Sequence, residues 1–375
     1  MNKYDVVIIG AGVIGVAICD ELASRGFKVA ILEKNPKIAE ETTEGNSGII
    51  HGGFDPTPGK VNARLNLEGR KLYETKWFKE LDFPWKKCDS LVIAMNAKEK
   101  PAVEQLYYRG ITNGLHPVEL KILTKKEVLK LEPNLNPKVD SALLCTTSYI
   151  VDPILLTYAL WQRARKNKTE LFLQHQVTNI KENKKGFLVT CKNSENKNVV
   201  FACQKVVNAA GHYADEIANM VKMQNFHLKA RRGQYCILEK TEAKVLNNHV
   251  IFLVPTIYGK GVLVAPMPDG HILIGPTAQD GVAKEDTRLI DFKELKFIQK
   301  IGKKIMPKLN VTRISKLNSG SRPICVETDD FFISSAYDAQ NFINVVGIKS
   351  PGLTAAPAIA LQVADMIGKS RKEKK

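Results

Sequence analysis

Residues 4–34, YDVVIIGAGVIGVAICDELASRGFKVAILEK, decide the fold. A short and almost wholly apolar run opens this stretch, and a second one closes it before Glu33. Such runs are typical of strands that are buried inside a parallel sheet. Between them lies a glycine-rich turn, followed by a helical pattern that ends at Arg25 and Gly26. The stretch therefore predicts a β-α-β unit at the start of the chain.

Three glycines and one acid give this unit a nucleotide-binding pattern. Gly10 allows a tight turn, Gly12 lets the backbone approach a pyrophosphate, and Gly15 lets the helix pack closely on the strand. The helix N-terminus carries partial positive charge that favours phosphates. Glu33, at the end of the second strand, is placed to accept hydrogen bonds from ribose hydroxyls. The pattern predicts a dinucleotide site, but by itself it does not separate NAD from FAD.

The composition is that of a globular protein with an excess of lysine. A chain of 375 residues with 44% hydrophobic residues has room for two domains with sizeable cores. The formal net charge of +16 raises the question of nucleic-acid binding. Arginines are few beside lysines, the densest basic run is the tail at 368–375, and the arginine-rich, aromatic-interleaved pattern of nucleic-acid readers is missing. We therefore expect a solvated lysine surface and no nucleic-acid partner, although the charge would attract anionic substrates and anionic membrane surfaces.

The spacing of the cysteines and the hydropathy of the chain indicate whether it binds a metal and where in the cell it is located. The seven cysteines are scattered and no two form a CxxC pair, which argues against a disulfide framework and against a local metal site. We expect no metal. No stretch reaches the roughly 20 apolar residues that a membrane-spanning helix needs. The expected location is the cytoplasm, while peripheral contact with a membrane surface and the choice between monomer and dimer stay open.

Beyond the first unit, helical and strand patterns alternate in blocks. Helices are predicted at 60–82, over most of 98–132, at 151–167 and at 212–221. Strands are predicted at 90–95, in alternating runs at 170–193 and 199–211, and through 230–325, where turn signals indicate an antiparallel sheet. After residue 341 the sequence predicts a last strand, a glycine-bearing loop and a helix that begins near Thr354.

Three further stretches resemble those of a known protein family, which the first unit alone does not identify. They are ETTEGNSGIIHGG at 41–53, VVNAAGHYAD at 206–215 and GIKSPGLTAAPA at 347–358. Together they resemble the D-amino-acid-oxidase-like family of FAD flavoproteins, over nearly the whole chain. The resemblance implies an α/β fold, with a glutathione-reductase-like FAD-binding (Rossmann) domain and an interleaved α+β substrate domain that contains an antiparallel sheet.

The implied domains are discontinuous. Residues 1–82, 146–220 and 326–375 would form the FAD-binding domain, and residues 83–145 and 221–325 the substrate-binding domain.

Within that family, the motifs are similar to those of the short bacterial glycerol-3-phosphate oxidases. RRGQY at 231–235, PTIYGKGVLVAP at 255–266, IGPTA at 274–278 and GSRP at 320–323 add to the stretches above. The resemblance implies oxidation of sn-glycerol 3-phosphate to dihydroxyacetone phosphate, with hydride passing from C2 to flavin N5 and oxygen reduced to hydrogen peroxide. FAD is expected to be bound without a covalent link.

The resemblance also implies which residues form the site. The cofactor-binding residues would be Gly10, Gly12, Ile14, Gly15, Glu33, Thr42, Thr43, Asn46, Ser47, Gly48, Val177, Ala209, Gly211, Gly347, Ser350, Gly352, Leu353 and Thr354. His51 would take the hydroxyl proton, since its unperturbed pKa near 6.5 suits a base at neutral pH. Lys260, Arg322 and Ser350 would hold the substrate, because a phosphate ester needs fixed positive charge.

Each of these assignments has a simpler alternative. His51 could only line the flavin, Lys260 could be a solvated hairpin lysine, and Ser350 could cap a helix. A carboxylate would use the same cations as a phosphate, so an L-2-hydroxyglutarate or related 2-hydroxyacid oxidase or dehydrogenase is the second reading. An amine oxidase, an RNA-modifying flavoprotein and a non-enzymatic flavin-binding protein are further alternatives. The sequence does not decide between oxidase and dehydrogenase.

Overall fold

The computed structural model describes residues 2–222, 226–255, 261–335 and 340–368. Within these ranges the α-helices are α1 (Val13–Ser24), α2 (Val61–Leu72), α3 (Phe78–Glu80), α4 (Lys100–Asn113), α5 (Lys125–Leu131), α6 (Pro153–Ala164), α7 (Ala214–Asn219), α8 (Phe292–Ile305) and α9 (Gly352–Ile367). The strands of the same ranges are β1 (Asn2–Ile9), β2 (Val29–Leu32), β3 (Ile49–Ile50), β4 (Trp85–Lys87), β5 (Asp89–Ala94), β6 (Leu120–Thr124), β7 (Ser141–Cys145), β8 (Tyr149–Val151), β9 (Thr169–Phe172), β10 (Gln176–Asn183), β11 (Gly186–Lys192), β12 (Asn198–Asn208), β13 (Leu228–Leu238), β14 (His249–Leu253), β15 (Leu263–Pro266), β16 (Ile272–Gly275), β17 (Gln279–Val282), β18 (Ile314–Cys325), β19 (Phe332–Ser335) and β20 (Phe342–Val346).

The first β-α-β unit lies in the middle of a parallel sheet. β1 pairs in parallel with β2 and with β12, and β9 and β20 extend the sheet on either side. Val6 and Ile8 pack against α1, α6 and α9 on one face. Because side chains alternate along a strand, Val7 and Ile9 face the other way, where the antiparallel strands β10 and β11 cover them. This three-layer arrangement is the α/β fold that the sequence predicted.

A second and larger sheet is antiparallel except at one pair of strands. Its strands follow the order β17-β13-β16-β15-β14-β5-β7-β6, and β18 pairs along β13. β14 and β5 are the parallel neighbours. α8 covers one face of this mixed sheet and α4 packs on the other. The sheet predicted between residues 230 and 325 is therefore present, and β5, β6 and β7 extend it.

Two elements correct the sequence prediction. Residues Phe292–Ile305 form a helix inside the stretch that was predicted to contain strands. Its buried residues recur every three or four positions and match one face of a helix. Conversely, Leu120–Thr124 forms a strand inside the mostly helical prediction for 98–132. This short strand is held by its pairing with β7, which is a contact that local propensity does not report.

Every cysteine of the chain is buried in the protein interior. All seven lie within the described residues, where each is buried and unpaired. Burial raises the pKa of the Cys191 and Cys203 thiols to about 12. No helix in the described ranges combines the length and the apolar character that crossing a bilayer requires.

The segment that follows β2 contacts the mixed sheet through two glycines. A Cβ atom built on Gly45 would lie 2.2 Å from the Cα of Gly320, and one built on Gly320 would lie 2.4 Å from the Cα of Gly45. Gly45 belongs to the segment that follows β2, and Gly320 lies in β18. Neither position has room for a side chain, so the backbones of the two units are in direct contact here.

We predict that Gly320→Ala lowers the free energy of unfolding by about 3 kcal/mol, the upper part of the range for adding a methyl group to a full site. Ser315→Ala, at an exposed position of the same strand, is the control and should stay within about 0.5 kcal/mol of wild type. Urea unfolding curves of the three proteins measure both values. Equal midpoints for Gly320→Ala and wild type would contradict the close contact.

Candidate active site

The turn between β1 and α1 is built without side chains. Gly10 has φ +104° and a Cβ there would lie 2.5 Å from the carbonyl oxygen of Ala209. A Cβ on Gly15 would lie 2.0 Å from the carbonyl oxygen of Gly10. The roles predicted for these two glycines, a tight turn and close helix packing, therefore match the geometry. The turn leaves the N-terminus of α1 open to a cavity that Gly12 and Val13 line, where partial positive charge favours an anion.

Glu33 follows β2 and fixes this turn. One carboxylate oxygen accepts a hydrogen bond from the Ala11 N–H at 2.7 Å, and the other accepts from the Asn35 N–H at 2.9 Å. Burial raises the pKa of the Glu33 carboxyl, while these two hydrogen bonds act in the opposite direction. A carboxylate has lone pairs for about four hydrogen bonds, so Glu33 retains acceptor capacity on the side where it lines a second cavity.

The two cavities adjoin along the glycine turn. The first has about 1360 Å³ of empty space and the second about 1340 Å³. The residues that line both are Gly12, Thr42, Thr43, Ala209 and Gly211. An elongated cleft with a helix N-terminus at its middle suits a ligand with two large parts joined by a pyrophosphate.

Two buried polar atoms in the walls fit a bound group. Among the described residues, His212 Nδ1 and Ser321 Oγ have no hydrogen-bond partner. His212 lines the second cavity and Ser321 the first. Buried polar atoms without a partner are costly and rare in folded proteins, so a ligand that offers a donor or acceptor to each of them would stabilise the site. The walls are thus compatible with FAD along the whole cleft.

His51 stands in the first cavity directly after β3, and its backbone is held on both sides. Its N–H donates to Thr354 Oγ1 at 2.9 Å, and Asn66 Nδ2 donates to its carbonyl oxygen at 3.3 Å. The ring Nε2 lies 3.3 Å from Ser350 Oγ, and the ring packs against Phe252 with 6.2 Å between centroids. The structure thus brings together two residues, His51 and Ser350, that are far apart in the sequence, and aims both at one cavity.

Arg322 supplies positive charge to the wall of the same cavity. It lies on β18 and donates a hydrogen bond to the Thr277 carbonyl at 3.1 Å. Burial lowers the pKa of its guanidinium, which nevertheless stays charged at neutral pH. Its neighbour Arg231 holds Asp280 at 2.7 and 2.8 Å. In the described part of the chain no carboxylate lies within ion-pair distance of Arg322, so its charge is available to an anion in the cavity.

The other predicted site residues divide into three groups. Those that line the cleft, besides the residues described above, are Ile14, Asn46, Ser47, Val177, Gly347, Gly352 and Leu353. Gly48 and Thr354 line neither cavity and lie behind the wall, so their direct contact with a cofactor stays a prediction. Lys260 falls outside the described residues, and its place at the substrate stays a prediction as well.

Some residues of the site were not found from the sequence. Asn66, in α2, and Phe252, in β14, both contact His51. Neither has a sequence signal, because a single asparagine or phenylalanine in a helix or strand is ordinary. Ser321 did have a signal, since it precedes Arg322 in GSRP, but only the structure shows its hydroxyl buried in the cavity wall. His212 lines the second cavity and was not among the predicted site residues.

We predict that His212 makes stability depend on pH. Burial lowers its pKa in the folded protein, whereas the unfolded value is about 6.5. As the pH falls, the unfolded chain therefore binds a proton at this histidine before the folded protein does. The contribution of neutral His212 to the free energy of unfolding is complete above about pH 6.5 and is lost below it. Urea unfolding from about pH 8 to about pH 5 should show a smaller loss of stability in His212→Asn than in wild type. Parallel curves for the two proteins would contradict this role.

Comparison with known proteins shows which family the chain belongs to. The family model described as FAD dependent oxidoreductase matches residues 5–366. The chain is 41% identical over 367 residues to a glycerol 3-phosphate oxidase of Mycoplasma pneumoniae, covering 98% of this chain and 95% of that protein. The solved structure of L-alpha-glycerophosphate oxidase from Mycoplasma pneumoniae, reduced and with FAD bound, superimposes with a TM-score of 0.94 over 99% of this chain and 96% of that one. An L-2-hydroxyglutarate dehydrogenase of Nematostella vectensis is 28% identical over 77% of this chain.

These matches confirm the predicted fold and the predicted cofactor. The FAD-bound structure has the same architecture over almost the whole chain. Together with the glycine turn and Glu33, this identifies the chain as a member of the FAD-dependent oxidoreductase family.

Proposed function

We propose that the chain oxidises sn-glycerol 3-phosphate to dihydroxyacetone phosphate, with oxygen reduced to hydrogen peroxide. The observation that carries this proposal is the guanidinium of Arg322, which has no carboxylate partner among the described residues and lies in the cavity that also holds His51. A phosphorylated alcohol needs one group that binds an anion and one that accepts a proton, and this cavity offers both. The relatives named glycerol 3-phosphate oxidase at 41% identity support the same substrate.

The chain's own residues would bind the substrate and move one proton. Arg322 would hold the phosphate through charged hydrogen bonds, and Ser350 would orient the C2 hydroxyl toward His51. His51 Nε2 would take the hydroxyl proton as the C2–H bond breaks and the carbonyl forms. Thr354 and Asn66 fix the backbone of His51, so the ring is aimed before substrate arrives. FAD, when bound, would supply the redox chemistry that no side chain has, as an acceptor for the C2 hydride and a donor of electrons to oxygen.

The second reading is a 2-hydroxyacid oxidase or dehydrogenase such as one for L-2-hydroxyglutarate. Arg322 could also hold a carboxylate, which is why the site alone does not separate the two substrates. The relatives favour the phosphate, since identity falls from 41% for the oxidase to 28% for the L-2-hydroxyglutarate dehydrogenase. Anaerobic bleaching of the flavin by each compound in turn distinguishes them directly.

We further propose the two-domain division given by the sequence. The strands of the parallel sheet all fall within 1–82, 146–220 and 326–375, which would bind FAD. Those of the mixed sheet all fall within 83–145 and 221–325, which would bind the substrate. The small antiparallel sheet β3-β8-β4 takes strands from both sets and so joins them.

We propose that FAD is held without a covalent bond and that the enzyme works in the cytoplasm. Among the described residues, no cysteine lines either part of the cleft, so a thioether link to the flavin has no sulfur at hand. Seven unpaired thiols are what a reducing compartment maintains. Glycerol 3-phosphate and oxygen are the partners that we assign.

We predict that Glu33→Ala weakens FAD binding by about 1–3 kcal/mol, the cost of losing hydrogen bonds to a charged acceptor. The loss has two sources, since the ribose loses its acceptor and the turn loses the partner of the Ala11 N–H. Glu40→Ala removes a carboxylate from the wall of the same cavity without touching the turn, and its affinity should stay near wild type. Fluorescence titration of the cofactor-free proteins measures both. Full FAD occupancy of Glu33→Ala on dilution would contradict the assignment.

We predict opposite kinetic effects for His51 and Arg322. His51→Asn should slow anaerobic flavin reduction by about 10²–10⁴-fold, the usual contribution of a positioned base, and should leave substrate affinity nearly unchanged. Arg322→Ala should mainly raise KM, because it removes a contact present before and during the reaction. Stopped-flow reduction with glycerol 3-phosphate and with glycerol measures these effects.

Glycerol is the control substrate, because it lacks the phosphate and should lose little further activity in Arg322→Ala. If that variant impairs both substrates equally, Arg322 does not bind the phosphate. If His51→Asn is reduced at the wild-type rate, His51 only lines the flavin.

A further inference from the structure

Helix α8 has one face in the core and a very different face toward solvent. Leu295, Ile298, Gly302 and Ile305 are buried against the mixed sheet. On the opposite side the exposed residues are Lys293, Lys296, Lys300, Lys303 and Lys304. With 3.6 residues per turn, these five lysines lie together along the outward side of the helix, and we call them the lysine face.

The lysine face is not neutralised by the protein itself. In the part of the chain that the structure describes, none of its five ammonium groups lies within ion-pair distance of a carboxylate, and Lys303 donates only to the Leu309 carbonyl. The one acidic residue within α8, Glu294, is half-buried and lies away from this face. On α2, by contrast, the exposed Arg64 pairs with Glu68 one turn further along the helix.

Aromatic side chains border the lysine face on both sides. Phe292 is 71% exposed and Phe297 is 51% exposed, and Leu289, just before the helix, is 56% exposed. Single exposed apolar residues are common, but several around one basic helix face are typical of a helix that lies at a membrane interface. The phenylalanines need an apolar medium, whereas the lysines need anions.

We propose that this face of α8 rests on an anionic lipid surface. The lysine ammonium groups would meet the lipid phosphates, and Phe292 and Phe297 would enter the boundary between headgroups and acyl chains. A lipid surface meets both requirements at once. A nucleic-acid backbone would meet only the lysines and would leave the two phenyl rings in water.

The mixed sheet separates this face from the substrate cavity. Along β13, Tyr235 lines the cavity while its neighbour Cys236 packs in the cluster beneath α8. The same alternation places Leu263 of β15 in the cavity wall and Val264 under the helix. Membrane contact through α8 would therefore leave the cavity open, and binding to lipid can be measured apart from turnover.

The test is co-sedimentation of the holoenzyme with vesicles. Wild type should pellet with vesicles of phosphatidylcholine that contain about one third phosphatidylglycerol, should stay in solution with phosphatidylcholine alone, and should be released by high salt.

Lys296→Gln with Lys300→Gln should lower the partition coefficient about 30-fold, at about fivefold per lysine. Phe292→Ser with Phe297→Ser should lower it by about tenfold or more. Turnover in solution should stay at the wild-type level in both double variants.

The matched control is Lys181→Gln with Lys184→Gln, which removes the same charge from the exposed β10–β11 hairpin. This control should pellet like wild type. Equal loss in the control would mean that net charge alone attracts the protein, and it would overturn the proposal. So would absence of wild-type binding, equal binding to neutral vesicles, or a change of molar mass in the α8 variants by light scattering, which would mean that a second copy covers the face.

Discussion

The contact between Gly45 and Gly320 is the constraint on which the geometry of the cleft depends. Because neither residue carries a side chain, the backbone of the segment after β2 touches that of β18, and the segments on either side of the two glycines are fixed relative to each other. On one side the chain continues into Asn46, Ser47 and His51, and on the other into Ser321 and Arg322. The proposed proton acceptor, His51, and the proposed anion-binding group, Arg322, are therefore positioned by main-chain packing.

The charges of two arginines add a second constraint at the wall of the same cavity. Two arginines face each other across β13 and β18, and Asp280 pairs with only one of them, Arg231. Burial of the second, Arg322, is unfavourable without a partner, and a bound anion would remove that cost. The free enzyme is thus prepared for an anionic substrate in the same way as the glycine turn, with the helix end behind it, is prepared for a pyrophosphate.

The sequence predicts best where structure and chemistry are local. The first β-α-β unit lies within one short stretch, and its strands, helix and glycine turn are where the sequence predicts them. The contact of Glu33 with a ribose stays a prediction. Asn66 and Phe252 could not be predicted, because their importance comes only from contact with His51 across the fold. Helix α8 was missed for a different reason. Its apolar spacing is helical, but exposed phenylalanines among the buried positions blur the pattern.

The burial of the cysteines matters because the proposed product is hydrogen peroxide. Hydrogen peroxide attacks thiolates rather than thiols, and a thiol with a pKa of about 12, as for Cys191 and Cys203, is almost entirely protonated at neutral pH. All seven cysteines are also buried. If the chain releases hydrogen peroxide as proposed, it therefore has no exposed thiol that this oxidant could convert to sulfenic acid.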